Sequence, residues 1–99
     1  MKTLLALLLL IPSFSWGFFG PDNFKQCKLD NAGKAKTELG SHHITVGCRL
    51  YFEKDEYGKI IKDARKTGKC ILKNTPKAKN RVANNQVMSG CRDKYDYWD

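Results

Sequence analysis

The residues able to do chemistry are few: Cys27, Cys48, Cys70 and Cys91, the adjacent pair His42 and His43, and ten carboxylates. A zinc site needs cysteine or histidine ligands at short, regular spacing, and no Cys-x-x-Cys pair occurs anywhere in the chain. Neighbouring residues on a helix point about 100° apart, so His42 and His43 cannot face one ion from the same side; they read as part of a solvated helix face. No further histidine exists to activate a nucleophile. Glu38, Glu53, Glu56 and the seven aspartates are scattered or sit in charge-mixed stretches, with no apolar setting that would raise a pKa for acid–base work. Gly58 and Gly68 form no phosphate-cradling loop. The reading is of a chain that is not an enzyme, with no catalytic residues, no metal and no cofactor. The four cysteines are left with a structural role.

That role is written twice. Residues Cys27–Arg49 and Cys70–Arg92 align without a gap at an offset of 43, and nine of the 23 pairs are identical. Composition alone gives about one or two such matches. The identical pairs include Cys27/Cys70, Asn31/Asn74, Gly47/Gly90 and Cys48/Cys91, so the repeat carries every cysteine. Of the three pairings open to four cysteines, duplication favours Cys27–Cys48 with Cys70–Cys91, because a unit that was copied must have closed its own staple. Pairing across the units, Cys27–Cys70 with Cys48–Cys91, stays open if they pack as a pseudo-symmetric pair. Each within-unit bridge would close 20 intervening residues, a loop for which chain entropy gives roughly 3 kcal/mol.

The elements that position these cysteines can be read from punctuation. In each unit a short apolar segment carries the first cysteine, stops at Asn31 or Asn74, and meets a breaker, Gly33 or Pro76. A Lys-Ala-Lys run then leads to Thr37 or Asn80, both good helix N-caps. In the second unit Ala83, Val87, Met88, Cys91, Tyr95 and Trp98 share one helical face, with Asn85, Ser89, Arg92, Asp93 and Asp96 opposite. By this phase Tyr95 and Trp98 cap the core; the other reading of Tyr95–Asp99 is an exposed aromatic–acidic end that docks a partner. In the first unit Ile44, Val46, Cys48, Leu50 and Phe52 alternate as a strand would. The second unit has no such alternation, and copies of one unit share a fold, so His42–Phe52 is read as helix. Between the units, Glu53–Gly58 ends in a turn, Lys59–Lys62 reads as a short strand or a few helical residues, and Thr67-Gly68 resets the chain before Cys70. The expected fold is mainly α: a tandem pair of disulfide-stapled helical hairpins, packed on each other, with a short β element in the linker. The boundaries are 1–17 for a signal peptide, 18–52 for the first unit, 53–66 for the linker and 67–99 for the second unit.

The signal peptide rests on Lys2, the apolar run Thr3–Ile11, the breaker Pro12, and small residues at Ser15 and Gly17 before Phe18. The apolar run is shorter than the roughly 20 residues that cross a bilayer, so no transmembrane segment is expected after cleavage. Lys2 is the one charged residue removed, leaving +7 of the chain's +8. Domains this small usually need disulfides in addition to a core, and disulfides persist in oxidising compartments. The chain is therefore read as secreted or periplasmic, and as a monomer.

These features resemble those of a set of small exported proteins of marine bacteria and their phages. The likeness rests on Phe18-Phe19-Gly20-Pro21, on Asn23-Phe24-Lys25-Gln26-Cys27-Lys28-Leu29 with Cys48-Arg49, and on Cys70-Ile71-Leu72 with Cys91-Arg92. The second unit departs from the pattern, with Lys66-Thr67 in place of the Asn-Phe lead. The resemblance implies repeated Cys-x20-Cys helical hairpins and an exported destination, and brings no activity with it.

One functional signal remains, the basic surplus. Lys59, Lys62, Arg65, Lys66, Lys69, Lys73, Lys77, Lys79 and Arg81 form a run interrupted by a single acid, Asp63. Such a field attracts polyanions, and these nine residues are the candidate anion-binding set. Aromatic residues do not interleave with the lysines as in single-strand binders, so no dedicated nucleic-acid binding is expected. The function read here is an exported, non-enzymatic binding or accessory module whose partner is an anionic envelope surface or a protein. The alternative is a secreted cationic effector or antimicrobial-type toxin.

Overall fold

The computed structural model describes residues 23–98, so the signal peptide read at 1–17 lies outside the described residues. Among the described residues four helices follow one another: α1 (Asn23–Asn31), α2 (Glu38–Tyr51), α3 (Lys62–Asn74) and α4 (Arg81–Tyr95). A 3-10 turn, Thr75–Lys77, leads out of α3. The disulfides are Cys27–Cys48, joining α1 to α2, and Cys70–Cys91, joining α3 to α4. The fold is thus two stapled helical hairpins in tandem.

The repeat is kept down to single hydrogen bonds. Asn31 Nδ2 donates to the Cys27 carbonyl at 2.8 Å, and Asn74 Nδ2 to the Cys70 carbonyl at 2.9 Å. Each asparagine thereby closes the last turn of its unit's first helix. The Gly40 amide donates to Thr37 Oγ1 at 2.9 Å, and the Ala83 amide to Asn80 Oδ1 at 2.8 Å. These are the two N-caps, each satisfying an amide that the helix itself leaves unpaired.

The strand-like alternation of the first unit is overruled. On helix α2 the residues Gly40, His43, Ile44, Gly47, Cys48 and Leu50 are buried, the three-and-four spacing of an apolar helical face. Val46 packs on the core beside Leu50. Ile44 and Cys48 fall on one arc of the helix and Val46 and Leu50 on the opposite one, and both are packed because α1, α3 and α4 all lie against α2.

The segment before Cys70 differs more from the sequence reading. A tight hairpin occupies 53–61, with an antiparallel bridge between Lys54 and Ile60. Its turn is held by Asp55 Oδ1, which accepts from the Tyr57 and Lys59 amides, and by Gly58 at φ +78°, a conformation glycine adopts without strain. Helix α3 then begins at Lys62, within the segment assigned to the linker, and runs unbroken through Thr67 and Gly68. The expected reset at Thr67-Gly68 does not occur. Ala64, Thr67, Gly68 and Ile71 are buried and recur at helical spacing, so tertiary packing outweighs the roughly 1 kcal/mol helix penalty of glycine.

Gly68 is where the two units touch most closely. A Cβ built there would lie 2.5 Å from the Gly47 carbonyl oxygen and 2.7 Å from the Tyr51 amide nitrogen. On the other side of the contact, Ile71 and Leu72 side chains lie over Gly47. Among the described helices the most extensive packing is this α2–α3 contact. Leu50, Ala64, Ile71 and Cys91 form the central core, with Val46, Ile61, Cys70, Val87, Met88 and Tyr97 packed around it. Helix α1 contributes no buried residue.

At the C-terminal end, α4 stops at Tyr95 because Asp96 turns into the left-handed region at φ 51°. The turn rotates the chain, so Tyr97 packs on the core and Trp98 stays 58% exposed. The helical phase that placed Tyr95 and Trp98 on the core does not continue past Tyr95.

Candidate functional site

The nine basic residues of the candidate set do not form one surface. Lys62, Lys66, Lys69 and Lys73 are exposed on α3, at i, i+4, i+7 and i+11, and so share the face opposite the buried Ala64–Ile71 side. At 1.5 Å per residue the stripe is about 16 Å long. Lys66, Lys69 and Lys73 border a shallow depression of about 240 Å³ together with Lys94 and Tyr95 of α4. Lys77 lines a neighbouring, larger groove, again with Lys94. Lys79 and Arg81 flank the Asn80 cap and are exposed, as is Lys59 in the hairpin. Lys94 was not in the set: it follows the basic run in sequence and sits between Asp93 and Asp96. Only the α3–α4 packing brings it to the stripe.

Arg65 is set apart from this face. Its guanidinium lies 4.3 Å from the Tyr51 ring centroid and 5.6 Å from that of Phe52, and its Nε donates to the Tyr51 carbonyl at 2.9 Å. It is half-buried at the seam between the units. Arginine suits this place because its planar cation stacks on a ring while its N–H groups still donate.

The two histidines also separate. His42 is exposed, whereas His43 is buried at 7% exposure, contrary to the solvated face expected for both. His43 Nδ1 has no hydrogen-bond partner. Burial lowers the His43 pKa below the ordinary 6.5, electrostatic repulsion from the His42 and Arg92 side chains lowers it further, and a hydrogen bond with the Asn84 backbone opposes them. A base whose pKa is depressed by folding binds fewer protons folded than unfolded, so stability rises with pH across the window below 6.5. Acidification from pH 7.5 through this window is therefore expected to lower Tm, and His43→Gln, the residue found at the repeat position Gln86, to flatten that part of the profile. Thermal melts at several pH values check this; equal acid sensitivity in the variant would remove His43 as the cause.

Asn84 completes the seam and had no signal in the sequence beyond its place in a polar run. It is fully buried, and its Nδ2 donates to Thr37 Oγ1 at 2.8 Å and to the Asn80 carbonyl at 3.0 Å. The cap of the first unit is thereby tied to the second helix of the other. Among the described residues, no three His, Cys, Asp or Glu side chains gather as a metal-holding set.

The architecture defines the class: a small helical protein built from two copies of one Cys-x20-Cys hairpin, each closed by its own disulfide. The chain belongs to the family described as four-cysteine protein VF_A0006-like, whose model matches residues 5–95. No curated protein and no solved structure matches it. The family description names the cysteines and no reaction. Among the described residues no helix is long and apolar enough to cross a membrane, and the two disulfides suit an oxidising compartment.

Proposed function

We propose that this chain is an exported, non-enzymatic binding or accessory module, secreted or periplasmic, that meets anionic envelope surfaces through the lysine face of its second unit. The observation that carries the reading is the stripe Lys62, Lys66, Lys69 and Lys73 on one exposed side of α3, extended by Lys94. Four cations at regular spacing on a helix held by a disulfide present charge without ordering a flexible segment, which lowers the entropic cost of binding. The apolar side of α3 is buried. The lysines therefore lack the exposed apolar partner face that membrane-disrupting helices use, which favours docking over the cationic-toxin reading.

Binding to vesicles containing phosphatidylglycerol should weaken steeply as the Debye length falls from roughly 30 Å at 0.01 M salt to 8 Å at 0.15 M. Reversing Lys66, Lys69 and Lys73 together to glutamate should abolish it at both salt concentrations while leaving Tm nearly unchanged, since all three are exposed. Vesicle co-sedimentation reads both effects. No binding at low salt, or equal binding by the triple variant, would overturn the proposal. Dye release at micromolar protein would instead favour the toxin.

A further inference from the structure

The duplication places a filled groove and an open one side by side for comparison. In the first unit Gly40, Ile44, Gly47 and Cys48 form a strip along α2, and α3 lies across it, with Ile71 and Leu72 over Gly47 and Gly68 against the backbone. Arg65 lies over Tyr51 at the end of that contact. At the offset of 43 the same strip on α4 is Ala83, Val87, Gly90 and Cys91, and the position of Tyr51 is Lys94. Among the described residues, no helix lies across it. A Cβ on Gly90 would meet nothing within 4 Å, and an open groove of about 510 Å³ runs along the strip.

We propose that this groove docks an acidic amphipathic helix of a partner protein, lying across α4 as α3 lies across α2. A helix is the occupant because the matching groove already holds one and the floor repeats by position, Gly47 and Cys48 as Gly90 and Cys91, Gly40 and Ile44 as the similar Ala83 and Val87. It carries a small residue at the crossing, where Gly90 repeats Gly47. It is acidic because Lys77 and Lys94 line the groove, Lys66, Lys69 and Lys73 border the adjoining depression, and no described Asp or Glu lines either. Where Arg65 meets Tyr51 in the filled groove, the partner presents a carboxylate to Lys94. A second copy of this chain does not fit. Its helix equivalent to α3 is α1, which has Lys25 and Lys28 at the positions of Gly68 and Ile71. Lys25 would bring a long cationic side chain to a crossing where Gly68 leaves no room even for a Cβ.

The test uses a labelled peptide with the sequence of α3, in which Arg65 and the four stripe lysines are replaced by glutamate and Cys70 by alanine. A side-chain staple on its outer face keeps it helical, since a segment of this length is marginally helical in water. Fluorescence anisotropy measures its binding to the disulfide-intact protein. Gly90→Leu should weaken binding by about tenfold or more by filling the groove, with Tm retained because the position faces open space. Lys94→Glu should weaken it comparably, and a peptide that keeps Arg65 should restore affinity for that variant. Equal affinity for wild type and Gly90→Leu, or loss caused only by reversing Lys66, Lys69 and Lys73, would overturn the groove. So would dimerisation abolished by Gly90→Leu in sedimentation. The vesicle proposal stands separately: Gly90→Leu should leave vesicle binding intact, so either idea can fail without the other.

Discussion

Replacing Gly68 by alanine is expected to destabilise the protein by about 3 kcal/mol, although alanine is the better helix former by about 1 kcal/mol. The added methyl would sit 2.5 Å from the Gly47 carbonyl oxygen and 2.7 Å from the Tyr51 amide nitrogen. Both are backbone atoms of α2, so no side chain can rotate away to admit it. Relief requires α2 and α3 to move apart, and that motion loosens Ile71 and Leu72 over Gly47 and the Arg65 contact with Tyr51. For a chain of this size, whose core rarely supplies more than about 3–5 kcal/mol, such a loss takes most of the stability. The repeat supplies the control. Gly90→Ala places its methyl in open space and should stabilise by about 0.5–1 kcal/mol. Urea unfolding of the two variants reads the difference directly, and a Gly68→Ala variant as stable as wild type would show that the helices do not depend on this approach.

Gly68 also marks where sequence reading stopped. The disulfides, the Thr37 and Asn80 caps and the stops at Asn31 and Asn74 were legible because each is a local feature seen twice, at the same offset. The repeat weakens before Cys70: Gly68 matches Lys25, and Thr67 matches Phe24. Without a second copy to compare, a glycine beside a threonine reads as a break, and only the opposing backbone of α2 explains why it lies inside a helix. His43 and Asn84 were missed for a related reason. Their repeat partners, Gln86 and Ser41, are exposed. The first unit's inner face is covered by the second unit, and among the described residues nothing covers the second unit's equivalent face. Duplication makes two sequences alike, while a two-unit array gives them different surroundings.

The basic face was legible in part. The run Lys59–Arg81 was seen as charge along the chain, but charge along a chain does not say which side of a helix it occupies. Once α3 is known to start at Lys62, four of the nine residues fall on one face and Arg65 falls off it. Lys94 joins from another helix.

Removing the two disulfides one at a time should have unequal consequences, although both close loops of the same length and chain entropy alone predicts roughly 3 kcal/mol for each. Cys70–Cys91 lies in the core, with Cys91 3% exposed beside Leu50, Ala64 and Ile71 and Cys70 packed against them. It joins the central helix α3 to α4. Cys70→Ala with Cys91→Ala should therefore cost roughly 2–5 kcal/mol of global stability, lowering the unfolding midpoint of every helix together. Cys27–Cys48 joins α2 to α1, which has no buried residue of its own. A nine-residue helix is too short to persist in water on propensity alone, so the bridge is what holds it. Cys27→Ala with Cys48→Ala should release α1 by local unfolding. Hydrogen exchange would then show loss of amide protection across Asn23–Asn31, with protection in α3 and α4 largely kept. If both double variants instead lost protection uniformly, α1 would be part of the global folding unit, and the two hairpins would be equal partners in stability as they are in sequence.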